Sequence, residues 1–304
     1  MIEVNIAVLL TCFNRKEKTL SSIRALFDSV ETYNRQNCKS VTADVFLTDD
    51  GCSDGTSDAV VSDNTDKNIT IVKADGNAYW AGGMRMAWQA AMQSNKDFDF
   101  FLLLNDDTIV KKECISELLS TDQYCINTFR KSGVYTGFTS SMDNESNITY
   151  GAKVYKKGIL SGAVDMKPMG SPQLCDMPNA NIMLVSKEVC GSIGMLSSDY
   201  IHGAADWDYG IMATKAGYPV LTTSVVCGYC EKDHDMAAEE YRKFVPLSIK
   251  ERKRFLDRPT GNYTDGLTFF LKHNKAKYII LRMAYFVNLY LPSVFYRFFQ
   301  RRGH

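Results

Sequence analysis

The stretch Phe100-Phe101-Leu102-Leu103-Leu104-Asn105-Asp106-Asp107 constrains the fold of this chain more than any other. Five consecutive apolar residues have the length of a strand buried on both faces. The run opens onto an amide and two neighbouring carboxylates, with no lysine or arginine in the stretch to neutralise them. Adjacent acids at the mouth of a buried strand repel each other. A hard divalent cation relieves that repulsion, because Mg²⁺ and Mn²⁺ prefer carboxylate oxygens and leave positions open for substrate phosphates. Asn-Asp-Asp is also ordinary turn chemistry at a strand exit. The stretch alone leaves both readings open.

The neighbouring segments supply the context. Apolar, β-branched runs at 6–10, 41–47, 69–72 and 98–104 predict strands. Residues 16–30 carry Leu20, Ile23, Leu26, Phe27 and Val30 at helical spacing, and 84–93 reads as a second helix. Alternation of this kind predicts an α/β fold with a parallel sheet and helices on both faces. Ligands of such sheets lie beyond the carboxyl ends of the strands. The acid-rich loops follow strands and should meet at one edge, placing Asp50, Asp107 and Asp206 in a shared cleft.

Two nucleotide-binding devices are absent. The first loop, from Thr11 to Thr19, contains no glycine, which excludes the dinucleotide fingerprint there, and no phosphate-binding P-loop occurs. The same loop lacks the glycine- and arginine-rich pattern of sugar nucleotidyltransferases. The phosphates of a bound nucleotide would then rest on a metal at Asp106 and Asp107, helped by Gly82, Gly83 and Arg85. Those glycines would let backbone approach a ligand closely; the alternative is plain helix entry.

Charge divides the chain into 1–240 and a helical segment at 241–304. The total of 35 Lys and Arg against 35 Asp and Glu argues against a nucleic-acid binder. From Tyr241 onward, however, 14 basic residues face 3 acidic ones, and the first 240 residues hold 21 against 32. A basic tail on an acidic body fits an anionic partner, lipid headgroups first. The aromatic and aliphatic run at 278–299 is interrupted by Arg282, Asn288, Pro292 and Arg297. It suits helices lying in the headgroup region, or a helix pair packed on the core or on a second subunit as a homodimer. Nine cysteines without framework spacing fit reduced thiols in a cytoplasmic protein. Cys227-Gly228-Tyr229-Cys230 has no matching second pair for zinc. The first residues, Met1-Ile2-Glu3-Val4-Asn5, lack the basic start of a secretory signal.

Leu10-Thr11-Cys12-Phe13-Asn14-Arg15, the run from Asp49 to Thr56, and Asn105-Asp106-Asp107 resemble family 2 glycosyltransferases of the GT-A fold in order and spacing. Residues 77–85 are similar to the asparagine- and glycine-rich loop of the rhamnosyl- and galactofuranosyl-transferase branch. The likeness resumes at Asn179-Ala180-Asn181, at 202–210 and at 215–218. It implies a Rossmann-like nucleotide-diphospho-sugar transferase: a mixed, mainly parallel sheet flanked by helices, followed by the basic, aromatic C-terminal extension.

The resemblance also implies roles for residues. Thr11, Phe13, Asn14, Asp49 and Asp50 would bind the donor nucleoside. Asn105-Asp106-Asp107 stands at the family's D-x-D position with an amide first, which puts Mg²⁺ or Mn²⁺ mainly on Asp107 and next on Asp106. Ala205-Asp206 leaves Asp206 as the matching catalytic base. Where many relatives complete the metal site with histidine this chain has Cys230, and His234 is the nearest imidazole, either a ligand or a surface residue. On the acceptor side stand Asn181 and His202, with Trp80 and Trp207 either stacked on a sugar or packed inside. The activity implied is metal-dependent, inverting transfer from a UDP-, dTDP- or GDP-linked sugar to a lipid-linked surface glycan at the inner face of the cytoplasmic membrane. Asn105, Ala205 and Cys230 favour the other reading, an inactive GT-A-like scaffold.

Overall fold

The computed structural model describes residues 3–155, 162–232, 243–261 and 263–297. Its N-terminal part alternates as expected: β1 (Glu3–Cys12), α1 (Lys16–Gln36), β2 (Ser40–Asp49), α2 (Thr56–Asp63), β3 (Ile69–Lys73), α3 (Tyr79–Gln93), β4 (Phe100–Leu104) and the short β5 (Ile109–Val110). Then come α4 (Cys114–Phe129), β6 (Val134–Ser140), β7 (Ile148–Tyr150), β8 (Ala152–Tyr155), β9 (Ala163–Asp165), β10 (Met177–Pro178) and β11 (Ile182–Ser186). The chain continues through α5 (Lys187–Ile193), α6 (Ala205–Lys215), β12 (Val220–Tyr229), α7 (Ile249–Leu256), α8 (Tyr263–His273), α9 (Lys275–Tyr290) and α10 (Pro292–Phe295).

Strand order in the main sheet is β3-β2-β1-β4-β11-β6-β12-β5, with β7 paired to β6. The first four strands are mutually parallel, as are β6 and β12. β11 runs antiparallel between the two parallel sets. Register then decides what meets at the carboxyl edge. Cys12 lies beside Asp49 and Leu9 beside Leu103, so the loops after β1, β2 and β4 leave the sheet at one level. Because β11 is reversed, its beginning reaches that same edge, with Ile182 beside Leu104. A separate three-stranded sheet, β10-β8-β9, carries the middle of the chain.

Period-two alternation divides each central strand between two cores. Ala7, Leu9, Phe101, Leu103 and Met183 face α3 and α6, meeting Met84, Trp88 and Tyr209. Ile6, Val8, Leu10, Leu102 and Leu104 face α1 and α4, meeting Ile23, Leu26 and Leu118. Each such side chain contributes about 1.5–3 kcal/mol on burial.

One expectation is corrected here. The helix expected at 84–93 begins at Tyr79, five residues earlier. Gly83 therefore lies inside it rather than ahead of it. A Cβ at Gly83 would stand 2.1 Å from the Thr11 hydroxyl, and Thr48 Oγ1 donates to the Gly83 carbonyl at 2.7 Å. The glycine lets α3 sit directly on β1 and β2. For the segment beyond 240, one of the two arrangements expected, packing on the core, is seen in part. Phe269 of α8 is buried in the same cluster as Trp88 and Leu103, while Phe244, Leu256, Tyr285 and Leu289 form a small core of their own. No described helix is long and apolar enough to cross a membrane.

Candidate active site

The acid pair after β4 is not unneutralised. Arg15, from the loop after β1, places Nη1 2.8 Å from Asp107 Oδ2 and 3.4 Å from Asp106 Oδ1. The base is not adjacent in sequence; it comes from 92 residues away. Asp106 is buried, and burial together with Asp107 pushes its carboxyl up to about 7, although Arg15 and Lys18 pull it down. Both carboxylates thus face one cationic point. They fit a hard divalent ion of the kind that takes two protein carboxylates and fills its remaining positions with phosphates. No cluster of three or more metal-capable side chains occurs among the described residues. The third neighbour is Cys230, whose Sγ lies 3.7 Å from Asp107 Oδ1, with burial pushing the thiol up to about 12. A protonated thiol is a poor ligand for Mg²⁺ or Mn²⁺. His234 lies outside the described residues.

The acids after β2 face inward. Asp49 accepts from Cys52 N at 2.7 Å, from Lys73 Nζ at 2.6 Å and from Ser57 Oγ. Burial raises its carboxyl, but those donors outweigh burial and hold it below the usual carboxylate range. Asp50 accepts from the N–H groups of Gly76, Ala78 and Tyr79 at 2.8–3.0 Å. It thereby ties the 75–79 turn to the sheet and satisfies donors at the start of α3. Both carboxylates shape the loop after β2 instead of lying open to solvent. Thr11 is buried against Gly83. Asn14, in the left-handed region at φ 52°, accepts from Ser53 N at 2.8 Å and joins the first two loops. Phe13 is 55% exposed at their mouth, the one open aromatic of this set.

Arg85 departs from its expected place. Its Nη1 donates to the carbonyls of Ser197 and Tyr200, both at 2.9 Å, so the guanidinium braces the 197–200 segment instead of facing a phosphate. Gly82 is a helical residue whose added Cβ would meet only ordinary contacts, Ala78 and Arg85 at 3.6 Å.

Asp206 heads α6, after Ala204 in the left-handed region at φ 61°. It is 8% exposed, accepts from Ala180 N at 3.1 Å and from its neighbour Trp207 N at 2.9 Å, and is pushed by burial up to about 6. A chain of contacts joins it to the acid pair. Ala180 leads to Asn181, whose carbonyl accepts from Asn105 N at 3.1 Å and whose Nδ2 donates to Cys230 Sγ at 3.1 Å. Trp80 Nε1 donates to Asn105 Oδ1 at 2.7 Å, so Trp80 is also part of this rim. Trp207 packs edge-on against Phe269 at 5.9 Å. His202 presents its N–H to Asp265 at 2.7 Å and its ring edge to Tyr79. A 510 Å³ pocket lined by Lys111, Glu117, Glu145 and Cys227 holds none of the expected site residues.

Sequence reasoning passed over three participants. Arg15 stood inside a quoted motif, but nothing local showed where its side chain would reach. Asp265, in a segment read as a membrane tail, accepts from the N–H groups of Ile201, His202 and Gly203 at 3.2, 2.7 and 2.7 Å. His273 Nε2 pairs with Asp208 Oδ1 at 2.6 Å. The only hint of the last two was one of three acids and one of two histidines in a mainly basic, apolar tail.

No family model and no curated protein sequence matches the chain. Solved structures do. Residues 1–349 of S. aureus TarS share 12% identity over 96% of this chain and 82% of that chain, with a TM-score of 0.53. The same part of TarS in complex with UDP-GlcNAc gives 11% identity, coverage of 94% and 81%, and a TM-score of 0.54. The mannosyltransferase PcManGT from Pyrobaculum calidifontis, in complex with GDP-Man and Mn²⁺, gives 13% identity, coverage of 94% and 81%, and a TM-score of 0.53. At these identities the likeness is one of fold. This chain has the GT-A fold.

Proposed function

We propose that the chain is an inverting glycosyltransferase that moves a sugar from a nucleotide-sugar donor to a hydroxyl of a lipid-linked or growing surface glycan. One observation carries the reading: a buried carboxylate pushed up to about 6 lies on the same rim as two acids converging on a single cation. Neighbours of the same fold are recorded with UDP-GlcNAc and with GDP-Man and Mn²⁺, which supports a nucleotide-sugar donor here.

In this reading Asp206 accepts the proton of the acceptor hydroxyl as that oxygen attacks the anomeric carbon in one displacement. Ala180 N–H holds one oxygen and Trp207 N–H the other, and lone pairs remain for the acceptor. Burial raises its basicity toward the range a general base needs at neutral pH. Phe13, Asn14 and the loops braced by Thr11, Asp49 and Asp50 receive the nucleoside. Trp80, Asn105 and Asn181 line the passage between donor and acceptor, with His202 and Trp207 at its outer end. Asp106 and Asp107 would hold Mg²⁺ or Mn²⁺, which when bound offsets charge on the leaving diphosphate. Gly82, Gly83 and Arg85 support α3 and the 197–200 segment and contact no phosphate in this scheme. Free cysteines throughout and the basic tail favour a peripheral protein at the inner face of the cytoplasmic membrane.

Calorimetry with UDP-, dTDP- and GDP-sugars, with and without Mn²⁺, tests the donor. One class should bind, and bind more tightly with Mn²⁺. Asp206→Asn should keep that binding and lose transfer. Failure of every donor would leave the scaffold reading, which Arg15 on the acid pair and Cys230 in place of an imidazole already favour.

A further inference from the structure

α9 is apolar on the wrong side for a helix that only packs against its own protein. Tyr285, Asn288 and Leu289 are buried toward Phe244 and Leu256. On the outer face Ile279, Met283, Phe286 and Tyr290 follow one another at helical spacing with Ile280 beside them, each 44–64% exposed. Single exposed apolar residues are unremarkable, but a contiguous stripe marks an interaction surface. Its charge surroundings select the occupant. After Asp265 the chain has seven Lys and Arg and no Asp or Glu. Arg282 lies along the stripe, 5.2 Å from the Phe286 ring centre, so a cation stands at its border. Asp257 meets the helix through Tyr285, on its buried side; an apolar outer stripe with Arg282 along it complements an anionic bilayer, which offers acyl chains beneath phosphates. A second copy of this chain would bring the same positive charge to the contact.

The stripe is also tied to the rim. α8 and α9 are separated by Asn274 alone, whose side chain caps α9 by accepting from Lys277 N at 3.1 Å. α8 grips the site through Asp265 on the 201–203 backbone, His273 on Asp208 and Phe269 on Trp207. We propose that the outer stripe of α9 docks on an anionic bilayer and that α8 holds the 201–208 rim at that surface, so that the acceptor is an amphiphile presented by the membrane. The second half rests on reading that rim as the acceptor side of a glycosyltransferase.

The test uses the full chain and two vesicle types, phosphatidylcholine alone and phosphatidylcholine with phosphatidylglycerol. Wild type should co-sediment with the anionic vesicles about tenfold better than with neutral ones, and less so as salt rises. The double variant Met283→Glu, Phe286→Glu should lose that preference, while Met92→Glu, at an exposed position on α3, should keep it. On anionic vesicles, amide exchange at 201–203 should slow in wild type. Asp265→Asn should still sediment without that slowing. Absence of vesicle binding, or binding indifferent to the double variant, overturns the docking surface. So does a wild-type dimer that the double variant converts to monomer in light scattering. Vesicle binding with unchanged exchange at 201–203 overturns the link to the rim. Donor calorimetry on the same samples keeps the outcomes apart: donor binding without vesicle binding sinks only this inference, and vesicle binding without donor binding sinks the enzymatic reading and the acceptor half with it, leaving the docking surface.

Discussion

Asp206→Asn should make the protein inactive and should remove the stability that wild type loses as pH rises from about 4 to about 6. Burial raises the Asp206 carboxyl from its ordinary 3.8 to about 6. A raised carboxyl means that the folded state binds the proton more tightly than the unfolded state. Between about pH 4 and pH 6 the unfolded chain therefore ionises first, and stability falls as pH rises. At about 1.4 kcal/mol per pH unit, the gap costs the folded protein about 3 kcal/mol once both states are ionised. Asparagine shares the neutral charge of the protonated acid, but its NH₂ group cannot accept, so one of the two N–H groups loses its partner at a cost of about 1–3 kcal/mol. The variant should be less stable than wild type near about pH 4.5, and the difference should move in its favour by about 2 kcal/mol by about pH 8. Urea unfolding followed by circular dichroism at the two pH values reads the difference directly. Transfer should drop at least about a hundredfold in the variant, and wild-type activity should fall as pH drops through about 6. An equal stability difference at both pH values would refute the burial argument, and turnover close to wild type would remove Asp206 from the role of base.

Other perturbations follow from the same geometry. Arg15→Gln removes a half-exposed charge that screened Coulomb attraction values at about 1–2 kcal/mol, so Mn²⁺ alone should bind about five- to thirtyfold more tightly by calorimetry. Weaker binding would mean that the guanidinium does not compete for the pair, and Asp107→Ala should abolish binding in either background. Gly83→Ala forces a methyl onto the Thr11 hydroxyl and should destabilise by about 3 kcal/mol in thermal melts. Adding Thr11→Ala should restore only part of this, because the Thr11 Cβ itself would stand 2.6 Å from the new atom. Asp49 is held below the usual carboxylate range, so its contribution is present above about pH 4 and is lost as pH falls further. Asp49→Asn should cost about 2 kcal/mol at neutral pH in urea titrations and progressively less under acid conditions.

Periodicity made the sheet legible. Residues 6–10 and 100–104 carry enough apolar surface to name their strands, and a run of parallel strands dictates a shared carboxyl edge. The acid loops were found for that reason. What stayed hidden were partnerships set by reach and packing. Arg15 and Asp107 are 92 positions apart, and no local pattern shows one side chain folding over the other. Gly82-Gly83 resembles a helix entry, but Asp50 supplies capping contacts from another strand and the helix starts at Tyr79. Arg85 has the charge for a phosphate, yet carbonyls at 197 and 200 claim it. The tail's composition pointed to a surface and said nothing of Asp265, because three backbone N–H groups leave no mark in side-chain chemistry.

The reversed strand β11 has a consequence for biosynthesis. It fills the gap between β4 and β6, so that gap stays open until residue 186 has left the ribosome. For the interval between, a nascent chain carries the five bare residues of β4 along an unpaired, wholly apolar border. A pause or truncation within that interval would leave a sticky half-sheet rather than a partly active product.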